Sequence, residues 1–177
     1  MAILEIVKIP NPVLHEKCKP IKDLNQDIKN QIIGLSDTLA DPTTKGVGLA
    51  APQLGFTTRI CVVLKFSQEK EVPPTEFVLI NPVITKFSVP TDIRWEGCLS
   101  IPDTFCKVQR SKEITVVFTN IKGEAQKLKA TGFFARVIQH EVDHLDGILI
   151  TDKCVGEPVT EAELDKIMEG EKLRKND

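Results

Sequence analysis

The chain has 177 residues, 41% of them apolar, which suits one folded domain with a buried core and argues against disorder. Lys and Arg number 23 against 25 Asp and Glu, a formal charge of −2. That balance lacks the basic excess that nucleic acid would attract, so no direct nucleic-acid binding is expected. The first ten residues carry Glu5 and Lys8 and lack the unbroken apolar stretch of a signal peptide. No apolar run approaches the roughly 20 residues that span a bilayer, so a cytoplasmic protein with no membrane partner is expected. The five cysteines are odd in number and irregularly spaced, which suits free thiols in a reducing compartment.

In chain order, residues 24–40 read as a helix, because Ile28, Ile32, Leu35 and Leu39 make one apolar stripe and Asp41-Pro42 ends it. Residues 42–46 form a polar loop. Short β-branched segments follow at 59–64, at 77–80 (closed by Asn81-Pro82) and at 83–87; the charged stretch 65–74 between them reads as an exposed loop. Residues 113–119 alternate, with Ile114, Val116 and Phe118 on one face, and 124–129 return as a hairpin partner after a turn. A second helix spans 132–146 with Gly147 as its C′ residue. Thr160 and Glu163 have capping-box spacing and start a polar C-terminal helix and tail, 160–177, with Leu164, Ile167 and Met168 on one face. Short connections favour antiparallel pairing. The expectation is one α+β domain over 1–177, with the second helix buried against sheets.

That helix carries His140-Glu141-Val142-Asp143-His144. Two His at i and i+4 share a face and can bind one metal, and the Glu between them can act on a metal-bound water. At about 100° per residue, Glu141 points into the apolar sector defined by Phe134, Val137, Ile138, Val142 and Leu145. A carboxylate aimed at a core is costly unless something compensates it, as a metal and its water would. Catalytic sites usually take three protein ligands. Cys98, beside Gly97, is a better third ligand than His15, which reads as a surface residue; a thiolate suits Fe²⁺ or Zn²⁺. In 46–53 two Gly and two Ala permit close backbone approach, and Gln53 offers an amide. Metal-bound His usually donate their other N–H; Glu96 is the candidate acceptor, and Arg110 would pair with it or with Asp143. Two alternatives use the same residues differently. One takes its third ligand from Glu157, Glu161 or Glu163; the other is a closed structural site completed by Cys106 or Cys154.

The segments GVGLAAPQ (46–53), EGCLS (96–100) and QHEVDH (139–144) together resemble the three signature motifs of the peptide deformylase family, in the family's order and at family-like separations. Resemblance extends over roughly residues 5 to 153. Asp103, after Pro102, stands where many members have Gly or Glu, which leaves the loop 103–107 and the rim of any cleft open. The resemblance implies antiparallel β-sheets packed around a buried, metal-binding H-E-x-x-H helix, with an N-terminal and a C-terminal helix. It implies hydrolysis of the N-formyl group from the formyl-methionine of new polypeptides, releasing formate. Cys98, His140 and His144 would bind one divalent metal, Fe²⁺ natively, with Zn²⁺ or Ni²⁺ able to occupy the site. Glu141 would be the base, and Gln53 and the Leu99 backbone N–H would hold the oxyanion. Gly48 would let the substrate backbone dock, Val47 and Val137 would wall the methionine slot, and Trp95 would shape the mouth. The partners implied are formyl-methionyl nascent peptides, with the ribosome as a possible contact of the C-terminal tail.

Overall fold

The structure is a computed structural model and describes residues 3–67, 69 and 71–174; the last three residues of the expected tail lie outside it. Helix α1 spans Gln26–Ala40 and is capped by Asn25, whose side chain accepts from the Ile28 N–H at 3.0 Å. Its expected stripe is real: Ile28, Leu35 and Leu39 are buried against Leu49, Ile60, Val62 and Ile80, with Ile32 packed beside them. Seven strands follow: β1 (Gly48–Ala50), β2 (Ile60–Lys65), β3 (Thr75–Phe87), β4 (Thr91–Cys98), β5 (Ile101–Ser111), β6 (Glu113–Thr119) and β7 (Ala125–Thr131). Five form an antiparallel sheet in the order β1-β2-β3-β6-β7, and β4 and β5 form a separate antiparallel ribbon.

Three features differ from the sequence expectation. The segments 77–80 and 83–87 are one strand. Asn81-Pro82 does not end it but kinks it, with Asn81 at φ 52° and the register against β6 shifting between Ile80 and Val83. The kink is pinned from outside: the Asn81 side chain accepts from the Ile21 N–H at 2.8 Å and donates to the Ile21 carbonyl at 2.7 Å. A proline is tolerated at such a bulge because no ladder bond is asked of it. The β4–β5 ribbon, which runs through 91–111, has no counterpart in the expected elements. The left-open stretch 103–107 belongs to β5, with Asp103 at φ 51° accepting from the first N–H of α3 (Glu161–Arg174) at 2.9 Å.

Helix α2 (Gly132–Leu145) lies between the two sheets. Ala135, Ile138, Val142 and Leu145 pack on Cys61, Val63, Leu79, Ile114 and Val116 of the large sheet. The opposite side, Arg136 and Gln139, is also buried, bonded to the ribbon and to Ser111. Gly147 at φ 73° follows, and a Cβ there would stand 2.4 Å from the His15 carbonyl oxygen, so only glycine lets the N-terminal segment pass. Thr160 and Glu163 make the expected reciprocal cap on α3. Along that helix Leu164 and Ile167 are half-buried and Met168 is exposed. Over the described residues the architecture is α+β, with antiparallel sheets and three α-helices. Among the described residues no helix is long and apolar enough to cross a membrane.

Candidate metal centre

His140 and His144 stand one turn apart on α2, their rings 5.0 Å apart at 67°. Cys98 reaches them from the end of β4, where the register against β5 shifts between Gly97 and Cys98. Gly97 is needed there, because a Cβ would meet the Phe105 ring at 2.8 Å. The Cys98 Sγ lies 3.2 Å from His144 Nε2. One donor atom from each of Cys98, His140 and His144 lies within 4.8 Å of the others, and among the described residues this is the one cluster of three such side chains. His15, Glu157, Glu161 and Glu163 are exposed and outside it. Cys106, which is buried, and Cys154 also lie outside it.

The rest of the site explains how these donors are held. His140 Nδ1 donates to Glu96 Oε2 at 3.1 Å, which leaves Nε2 facing Cys98 and His144. Glu96 is in turn clasped by two arginines. Arg110 donates to both of its oxygens at 3.0 and 2.9 Å, and Arg136 donates to Oε1 at 2.6 Å. Arg136 also bonds Asp92 Oδ1 at 2.6 Å, and Arg110 bonds Asp143, which Lys153 holds at 2.7 Å. Burial would raise the Glu96 pKa; the bonds from His140 and Arg110 outweigh it and hold the carboxyl well below the usual range. The candidate roles of Glu96 and Arg110 are thus matched by contacts. Arg136 and Asp92 were not anticipated. The one signal was position: Arg136 lies one turn before His140, but a helical arginine is usually solvated.

Glu141 is 3% exposed, and its Oε2 has no hydrogen-bond partner. Burial pushes its pKa up to about 7. His144 Nδ1 is likewise buried without a partner, and burial keeps that ring neutral, as a ligand must be. His140 is pushed up to about 10: burial opposes protonation, but bonds to Cys98 and Glu96 more than offset it. A cation among these donors would replace that proton and compensate Glu141. An unpartnered buried carboxylate, a neutral imidazole, a thiol and a carboxylate-backed imidazole are a donor set that fits a divalent transition metal.

A cleft of about 380 Å³ opens onto this cluster. Val47, Gly48, Gln53, Leu99, Val137 and Trp95, the residues singled out above, all line it. A Cβ on Gly48 would stand 2.4 Å from Glu141 Oε1, so glycine here makes room for that carboxylate. Gln53 sits in the one-turn 3-10 helix Ala51–Leu54. Its Oε1 accepts from the Ala50 N–H at 2.9 Å, which turns its Nε2 toward Ser100 Oγ at 3.3 Å and Cys98 Sγ at 3.8 Å. β1 and β4 are both edge strands, so the cleft has unpaired backbone edges beside it.

Comparison with known proteins agrees with this arrangement. A family model described as polypeptide deformylase matches residues 3–158. A peptide deformylase of Heliobacterium modesticaldum (strain ATCC 51547 / Ice1) is 42% identical over 153 residues, covering 86% of this chain and 95% of that protein. The crystal structure of a peptide deformylase from Thermotoga maritima is similar at a TM-score of 0.77 and 35% identity, covering 88% of this chain and 100% of that one. A Met-Ala-Ser-bound class I type b peptide deformylase from Acinetobacter baumannii matches at a TM-score of 0.77 and 30% identity, covering 86% and 99%.

Proposed function

The chain belongs to the polypeptide deformylase family, and from that premise we propose that Cys98, His140 and His144 hold its catalytic divalent metal and that Glu141 is its base. The reaction is removal of the N-formyl group from the N-terminal methionine of new polypeptides, with release of formate. The observation that carries the site assignment is the convergence of three donors within 4.8 Å beside a buried carboxylate with an unpartnered oxygen. The same donor set accepts Fe²⁺, Zn²⁺ or Ni²⁺, and we assign Fe²⁺ as the native ion.

When bound, the cation supplies Lewis-acid chemistry that can lower the pKa of water from 15.7 to about 7. The chain does the remainder. Glu141, with a pKa raised to about 7, is poised to take a proton from the attacking water and return it to the leaving amine as the C–N bond breaks. The Gln53 amide, fixed by Ala50, and the Leu99 N–H donate to the carbonyl oxygen as charge develops on it; one such donor is typically worth about 2.7–4 kcal/mol. The edge of β1 at Gly48 offers the substrate backbone a strand to pair with. Val47 and Val137 give the methionine side chain its apolar walls. The Met-Ala-Ser peptide on the A. baumannii relative is the kind of chain such a cleft takes. A cytoplasmic location and a contact between the polar C-terminal helix and the ribosome belong to the same proposal; co-sedimentation with ribosomes tests the contact.

The test of the assignment is formate release from a formyl-Met peptide beside its acetylated analogue, by protein loaded anaerobically with Fe²⁺. We expect release from the formyl peptide alone, and loss of both metal and release in Cys98→Ala. A Cys98→Ala protein that still retained its metal would refute the ligand set.

A further inference from the structure

A second cavity, of about 520 Å³, adjoins the cleft, walled by Leu64, Phe66 and Phe134 with Lys65 beside them. Phe133 lines both cavities and forms the ridge between them. The floor is held in place: Phe134 packs 5.4 Å from the Phe77 ring and has the Lys65 ammonium 5.8 Å above it. The rim is not covered, since Phe66 and Phe133 are each 53% exposed. Two large apolar side chains left in water on one rim mark a contact surface. None of these residues serves the metal or the base.

The occupant follows from the direction of the cleft. A substrate with its formyl group beside Glu141 starts at Gly48. Beyond it Ala51, Pro52, Gln53 and Leu54 close the site, all buried, so the rest of the peptide must leave the other way, past Val47 and Gly46. In that direction β2 runs alongside, Leu64 donating to the Val47 carbonyl at 2.8 Å, and then continues into Lys65 and Phe66. Along α2, His140 and Phe133 are seven positions apart (140 − 133), a rise of about 10.5 Å. An extended peptide covers that in about three residues of ~3.3 Å each.

Resting on the reading of the cleft given above, we propose that this second cavity is a specificity subsite for the nascent chain. It takes the side chain about three residues after the formyl-methionine and favours a large apolar or aromatic group there. The charged and apolar walls are on the protein; the substrate supplies the surface that covers them.

The experiment uses metal-loaded protein and C-terminally amidated peptides, so that no terminal carboxylate reaches Lys65. The series is formyl-Met followed by five alanines, with phenylalanine walked through the second to sixth residues, beside formyl-Met-Ala-amide. For the wild-type chain kcat/KM should peak near the fourth residue, about tenfold above the all-alanine peptide and mainly through KM. In Phe66→Ala the peak should flatten while formyl-Met-Ala-amide is processed as before. A flat wild-type profile, or an unchanged peak in Phe66→Ala, would overturn the subsite alone. Absence of formate from every peptide, the short one included, would overturn the deformylase site itself and the subsite with it.

Discussion

Glu96 accepts from His140, Arg110 and Arg136 at once, in a position almost without solvent. Removing one cation from such a cluster leaves buried charge behind, typically at a cost of 3–5 kcal/mol. Arg136→Met should therefore lower the unfolding free energy by about that much, even though the residue bonds none of the proposed metal ligands; a change under about 1 kcal/mol in denaturant titrations would mean that Arg110 alone suffices. Glu141 gives a pH signature. Its folded pKa, about 7, lies above its unfolded value of 4.5, so the metal-free protein has this stabilising contribution in full below 4.5 and loses it as pH rises through 7. Denaturant curves of metal-free wild type should weaken across that window relative to Glu141→Gln, and parallel curves would contradict the burial argument. Gly48→Ala places a Cβ against that same carboxylate and should abolish turnover while the fold survives, as circular dichroism beside formate release would show.

At the level of elements, α1 and α2 were legible because their faces carry the 3.6-residue period plainly, and β6 and its hairpin partner because theirs alternate. The ribbon β4–β5 was not, for a definite reason. Its inward positions are Asp92 and Glu96 on one strand and Cys106, Val108 and Arg110 on the other, so the buried face mixes charged with apolar residues and shows no clean alternation. The same ion pairs hid the role of Arg136. Within the ribbon, Cys98 was legible only because its neighbours in sequence and the histidines of α2 together made a known pattern. The kink in β3 was hidden because Asn81-Pro82 looks like a terminator, and its actual partner, Ile21, is 60 residues away. If that bond pins the kink, Asn81→Ala should cost about 1 kcal/mol by leaving the partly buried Ile21 backbone unpaired.

For the whole molecule, the proposed metal donors come from both layers. Cys98 belongs to the ribbon, and the two histidines belong to the helix that packs on the large sheet. A bound cation therefore ties the layers together, and its binding energy becomes folding energy. At a free metal concentration 100 times its Kd the gain is about 2.7 kcal/mol, which for a chain of this size raises Tm by roughly 5–10 °C. Chelation should lower Tm by that amount in the wild type and leave Cys98→Ala unchanged.

The central claim is that Glu141 moves the proton while Cys98, His140 and His144 hold the metal. Formate release by Glu141→Gln protein of verified metal content tests it most directly. The account predicts one metal per chain and a rate at least about a hundredfold below wild type, the usual scale of a lost general base. Near-normal release from metal-loaded Glu141→Gln would contradict it.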